Sequence, residues 1–167
     1  MKFNSKTNSA RELIKRGNEL HRLGNFDEAV ESYKQLSKLI PYAFIAYQKI
    51  GDILVEQKKL EEAIQNYKEA LKINDSLAYL HYILGKTLIK QGHLKEALHE
   101  LEIAVDQTSN CPKKYLEVLK LVRFKIEHNT SVDYWEERYA KGGHSGFGSY
   151  YELAKFKADH KYPIEND

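Results

Sequence analysis

The chain has 167 residues, which is room for one ordinary domain or for a domain with a short extension. Its 26 Lys/Arg balance 24 Asp/Glu for a net charge of +2, so the basic excess of a nucleic-acid binder is absent, and no apolar run approaches the ~20 residues of a membrane span. The polar opening Met1–Asn8 does not read as a secretory signal, and the single Cys111 forms no internal disulfide, so a reducing, cytoplasmic setting is expected.

Residues 1–9 read as a flexible lead. From residue 10 the chain repeats itself every 34 residues: Gly17, Gly51 and Gly85; Leu20, Leu54 and Leu88; Ala29, Ala63 and Ala97; Tyr33 and Tyr67 followed by Leu101. The spacing predicts two helices per unit. In the first unit Leu13, Gly17 and Leu20 share one face, and Phe26, Ala29, Val30 and Tyr33 share another. Gly24-Asn25 supplies the turn between them, and Pro41 stops the second helix. The small residues are expected to pair, Gly17 with Ala29, Gly51 with Ala63 and Gly85 with Ala97, so that the helices approach closely. Neither helix buries its apolar face alone, so the units 10–43, 44–77 and 78–111 must stack. A helix over residues 112–128, with Tyr115, Val118, Leu119 and Val122 on one side, is expected to cap the last unit.

After His128 the composition shifts. Asn129-Thr130-Ser131 reads as a polar break, and a short helix through Tyr134, Trp135, Arg138 and Tyr139 is expected after it, capped by Ser131 or Asp133. The loop Gly142–Ser149 holds four of the nine glycines, and a last helix is expected from Tyr150 to about Asp159. The loop reads as a connector. Phosphate binding is the less favoured alternative, because neither the Gly-x-x-x-x-Gly-Lys-Ser/Thr pattern nor a preceding strand is present.

The repeated residues over 10–111 resemble the tetratricopeptide repeat (TPR). That resemblance implies an all-α, right-handed solenoid of three helix-turn-helix repeats, here with a capping helix and a short C-terminal helical extension. Arg16 and His81 depart from the family's apolar or aromatic positions, and only Pro41 stands for its terminal proline. The family lines a concave groove with the first helix of each repeat. Helical projection then places Arg11, Ile14, Lys15, Asn18, His21 and Arg22 in the groove from the first repeat, and Ile45, Gln48, Lys49, Asp52, Val55 and Glu56 from the second. Tyr79, Tyr82, Ile83, Lys86, Ile89 and Lys90 come from the third, and Lys113, Leu116, Glu117, Lys120, Arg123 and Phe124 from the cap. Nine of these are Lys/Arg and three are acids, whereas the whole chain is nearly neutral.

Two readings of that face stand side by side. It is either a groove for an acidic peptide with an aliphatic or aromatic anchor, or a solvated lysine-rich surface that keeps the repeats soluble. Tyr79, Tyr82 and Ile83 on a face expected to be exposed favour binding, with Arg11, Lys15, Asn18, Arg22, Lys49, Lys86, Lys90, Lys120 and Arg123 as the other contacts. Some members of the family clamp a chaperone's C-terminal carboxylate through lysine, asparagine and arginine side chains. Here Asn18 matches, but Ile14, Lys49, Tyr79 and Ile83 occupy the other four places, so a clamp adaptor is not expected.

A second resemblance lies further on. Tyr134–Tyr139, the Gly142–Ser149 loop and Leu153–Ala158 look like the segment that precedes the core of some class I S-adenosylmethionine-dependent methyltransferases. It implies an alternative in which the repeats recruit substrate for a catalytic core absent from this chain. No strand–Gly-x-Gly–helix follows, so no cofactor is expected. The seven histidines form no metal motif, and His81 reads as a core neighbour. Cys111 has no partner that would make it a nucleophile. Asp27-Glu28, Glu61-Glu62 and Lys95-Glu96 open second helices, where acids complement the dipole. The leading expectation is a non-catalytic protein-interaction scaffold. Homo-oligomerisation through the aromatic segment is a third reading.

Overall fold

The computed structural model describes the backbone of residues 2–140 and the side chains of residues 6–127. Among the described residues there are seven helices and no strands: α1 (Lys2–Arg22), α2 (Phe26–Leu39), α3 (Phe44–Glu56), α4 (Leu60–Ile73), α5 (Ala78–Gln91), α6 (Leu94–Asp106) and α7 (Lys113–Ala140). The chain divides into two units, Met1–Val122 and Arg123–Asp167. The first holds three antiparallel hairpins, α1/α2, α3/α4 and α5/α6, stacked in order through α2 against α3 and α4 against α5. Described residues of the second unit continue α7.

Each hairpin turns the same way at the same place in the repeat. Gly24 and Gly92 have φ of 78° and 85°, and Lys58, at the equivalent position, is held at φ 62°. The residue after each closes the same backbone bond into the preceding helix: Asn25 N–H to Leu20 C=O at 2.9 Å, Lys59 to Leu54 at 2.9 Å, His93 to Leu88 at 3.0 Å. Lys58 therefore adopts a left-handed conformation that glycine takes freely and a side chain resists.

Within each hairpin the close approach differs from the expected glycine–alanine pairing. A Cβ on Gly17 would sit 2.7 Å from the Tyr33 ring, one on Gly51 2.6 Å from the Tyr67 ring, and one on Gly85 2.8 Å from Leu101 Cγ. The glycines thus make room for a large side chain of the second helix. Ala29, Ala63 and Ala97 are fully buried, and at Gly85 the expected partner also closes in, with the Ala97 carbonyl oxygen 3.3 Å from that Cβ. The tyrosine ring supplies the area that must leave water and therefore has the stronger claim on the gap.

The boundaries follow local chemistry. Helix α2 stops at Leu39, because Ile40 precedes Pro41 and is pushed to an extended conformation (φ −130°, ψ 92°). Without a proline, α4 stops at Ile73, and the Asn74 side-chain oxygen accepts from Ser76 N–H at 3.1 Å and Ser76 Oγ at 2.7 Å. At the next turn buried His81 spans two acceptors, with Nδ1 2.6 Å from Glu100 Oε2 and Nε2 2.9 Å from the Asp75 carbonyl. It ties the α4–α5 connection to α6, so its departure from the repeat pattern serves packing.

Two expected boundaries are corrected. Residues 2–9 are helical and belong to α1, so the lead is not separate from the first repeat. The expected break at Asn129-Thr130-Ser131 is absent. Helix α7 runs through it to Ala140, since none of the three residues is proline or glycine and each costs only a fraction of a kcal/mol, well under ~1, in a helix. The Gly142–Ser149 loop, the helix expected over Tyr150–Asp159 and most of the methyltransferase-like segment lie outside the described residues.

Two substitutions test the hairpin geometry. Gly51→Ala should cost about 1–3 kcal/mol by urea unfolding, because its methyl must displace the Tyr67 ring. Lys58→Gly should gain up to about 1 kcal/mol by relieving the left-handed backbone.

Candidate functional site

The residue after each hairpin glycine points the same way in every repeat, and these positions organise one face. In the first two repeats the buried tyrosine reaches across to it. Tyr33 Oη donates to Asn18 Oδ1 at 2.8 Å, and Tyr67 Oη donates to Asp52 Oδ1 at 2.9 Å. In the third repeat both partners change together. Leu101 has no hydroxyl to donate, and Lys86 has nothing to accept with. Lys86 instead places Nζ 5.4 Å from the centre of the Tyr82 ring.

The odd-numbered helices adjoin one another along this face. His21 of α1 lies 2.9 Å from Glu56 of α3, and Asp52 of α3 interacts electrostatically with Tyr79 of α5. Tyr82 of α5 stacks on Tyr115 of α7, with centroids 4.1 Å apart and an interplanar angle of 14°. The even-numbered helices meet separately, through Lys68 of α4 and Glu96 of α6 at 3.3 Å. The face is therefore a continuous layer of α1, α3, α5 and the start of α7.

Its electrostatics vary along the layer. Burial raises the Asp52 carboxyl above the ordinary carboxylate range, against the bond from Tyr67 and the charges of Lys49 and His21. Burial, with the Asp52 charge as a second cause, pushes the Tyr33 hydroxyl up to about 12 and the Tyr67 hydroxyl higher. At the other end burial raises the hydroxyls of Tyr79, Tyr82 and Tyr115; the Asp52 charge adds to it at Tyr79, and neighbouring tyrosines add to it at Tyr82 and Tyr115.

The expected contact residues divide into groups. Arg11, Lys15, Lys86, Lys90 and Lys120 are exposed and Lys49 half-buried; among the described residues none of the six has a carboxylate within 4 Å. Arg22 is engaged by Glu19 at 2.6 Å, which lowers the Glu19 carboxyl and raises the guanidinium, and Lys113 lies 3.6 Å from Glu117. Asn18 is exposed but already accepts from Tyr33. Tyr79 is 50% exposed, as a ligand contact requires. Tyr82, expected to be exposed, is only 6% exposed, because the stack on Tyr115 covers it. Arg123 is exposed and falls in the second unit.

Lys114 and Glu19 were not singled out by projection. Lys114 Nζ lies 5.7 Å from the Tyr82 ring centre and 5.8 Å from that of Tyr115. No helical periodicity points to it, because it adjoins Tyr115 in sequence instead of following it by a turn. Leu116, also on α7, is 39% exposed.

Family models described as tetratricopeptide repeat and TPR repeat match residues 13–42 and 51–92 respectively. No curated protein matches the sequence. Among solved structures, the first TPR of Spaghetti (RPAP3) bound to the HSP90 peptide SRMEEVD is similar at a TM-score of 0.66 and 20% identity, over 72% of this chain and 94% of that one. The Yersinia enterocolitica type III secretion chaperone SycD in complex with a peptide of the translocator YopD gives 0.64 and 17%, over 69% and 92%. The TPR2B domain of yeast Sti1, in complex with Hsp70, gives 0.65 and 16%, over 70% and 98%. At these identities the likeness establishes the fold. Among the described residues no helix is long and apolar enough to cross a membrane.

The half-buried Asp52 carboxyl gives a pH test. The folded state holds the Asp52 proton more readily than the unfolded chain, so its contribution to stability falls as pH rises through and above the ordinary carboxylate range. Asp52→Asn keeps an acceptor for Tyr67 and removes the half-buried charge. The variant should equal or exceed the parent in urea unfolding at neutral pH, with the difference shrinking toward acid.

Proposed function

This chain carries tetratricopeptide repeats at residues 13–42 and 51–92, and from that premise we propose that it is a non-catalytic interaction protein that holds a peptide of a partner protein against its α1/α3/α5/α7 face. The observation that carries this reading is the composition of that face. Arg11, Lys15, Lys86, Lys90 and Lys120, assigned to it, have no carboxylate within 4 Å among the described residues, and the half-exposed Tyr79 and the exposed Leu116 accompany them. Unpaired ammonium groups next to apolar area suit a segment that combines acidic side chains with an aliphatic or aromatic anchor. A solvated face kept only for solubility has no need to leave Tyr79 and Leu116 uncovered beside those charges.

Peptide complexes of the structurally similar TPR domains support the mode of binding. They do not supply the partner. The carboxylate clamp is not the basis of recognition in this reading: Ile14, Lys49, Tyr79 and Ile83 fill four of its places, and only Asn18 matches.

Panning a random-peptide library against the purified chain tests the proposal directly. Binders should be recovered, and Lys86→Glu with Lys90→Glu should weaken the best of them about tenfold or more in fluorescence anisotropy at low salt. Unchanged affinity in that double variant would remove the face from the function.

A further inference from the structure

Sequence projection spreads the cationic contacts over the whole face, but the structure gathers one of them, Lys86, at one seam with Lys114, which projection left out. Tyr82 of α5 and Tyr115 of α7 stack, and the stack holds Lys86 Nζ 5.4 Å from the Tyr82 centre and Lys114 Nζ 5.7 Å from the same centre. Lys114 also lies 5.8 Å from the centre of Tyr115. Lys86 thus approaches the Tyr82 ring, and Lys114, nearly equidistant from both ring centres, lies beside the stack, so two ammonium groups border one aromatic pair. Among the described residues neither ammonium has a carboxylate within 4 Å, and the acid that interacts with Tyr82, Glu117, reaches Lys113 at 3.6 Å. Lys86 is available because its repeat lost the hydroxyl–acceptor pair: Leu101 stands where Tyr33 and Tyr67 stand, and Lys86 where Asn18 and Asp52 stand.

We infer that the α5–α7 seam is the anion anchor of the face: Lys86 and Lys114, held on the Tyr82–Tyr115 stack, together receive one acidic side chain of the bound peptide, while Tyr79 and Leu116 flank it and receive the neighbouring apolar residue. This rests on the peptide-binding reading and assigns the acidic preference to one place on it. A carboxylate that reaches both ammonium groups gains two charge-assisted hydrogen bonds at once. The aromatic floor fixes the lysine stems beforehand, so less side-chain freedom is lost on binding. Arg11 and Lys15, on α1, have no aromatic floor in the structure, so they add to the field without selecting a position.

The test compares the peptides recovered from one random library by four full-length proteins: the parent, Lys86→Met with Lys114→Met, Lys86→Arg with Lys114→Arg, and Arg11→Ala with Lys15→Ala. Methionine keeps the stem and its packing on the ring while removing the charge, and circular dichroism with thermal unfolding verifies that each variant folds. Parent, arginine pair and α1 pair should each recover peptides with Asp or Glu beside Leu, Phe or Tyr. In the methionine pair the acidic enrichment should disappear while the apolar preference persists, and the best parental peptide should bind about tenfold more weakly. Acidic enrichment that survives in the methionine pair, or is lost in the α1 pair instead, overturns the anchor and leaves the groove standing. Failure of the parent to recover any peptide overturns the groove itself.

Discussion

Everything in the first unit depends on how closely two antiparallel helices approach at one glycine. A side chain at position 17, 51 or 85 would overlap the large residue facing it, and that residue is the one that fills the hairpin core. The contact does more than pack. Where the facing residue is tyrosine, its hydroxyl is buried and must find an acceptor, and the geometry offers the residue just past the glycine. The second helix of each hairpin therefore reaches through the first and determines what kind of side chain stands on the exposed face. Asn18 and Asp52 are acceptors for that reason. Lys86 is free of the requirement because Leu101 makes no such demand.

The third repeat departs from the other two at this position. Two repeats devote the position to satisfying a buried hydroxyl, and the third releases it to carry a charge beside an aromatic stack. The same logic explains the other local departures. His81 occupies a place where the repeat pattern is otherwise apolar, and it bonds to Glu100 and to the Asp75 carbonyl, securing the turn that leads into Tyr79. Asn74 and Ser76 end α4 with a side-chain turn in the place where Pro41 ends α2. Lys58 accepts a left-handed backbone where its two counterparts are glycine. Each departure carries a local cost or needs a local partner, and the period of 34 survives because the stacking contacts do not change.

Much of this fold was legible because a repeat multiplies weak signals. One Gly–Leu–Ala–Tyr set is unremarkable, but the same set in successive units fixes helix number, helix phase and turn position together. Helix ends were harder to read. Asn129-Thr130-Ser131 looks like a break by composition, yet helix propensity alone is too weak to stop α7 there. The candidate site was less legible. Helical projection names candidate residues one helix at a time and so leaves out side chains supplied by neighbours. Tyr82 is covered by Tyr115, Arg22 is engaged by Glu19, and Lys114 comes to the Tyr82 ring, none of which a single-helix projection contains.

The sequence by itself determined the class of the fold, three stacked helical hairpins, because periodicity and small-residue spacing are properties of the chain alone. The tertiary structure decided which of those side chains are available and which are occupied. Availability is set by contacts across helices that lie far apart in sequence: Tyr33 with Asn18, Tyr67 with Asp52, and Tyr82 with Tyr115. Burial and pairing are pairwise facts, and a pattern read along one chain cannot contain them until the helices have been brought together.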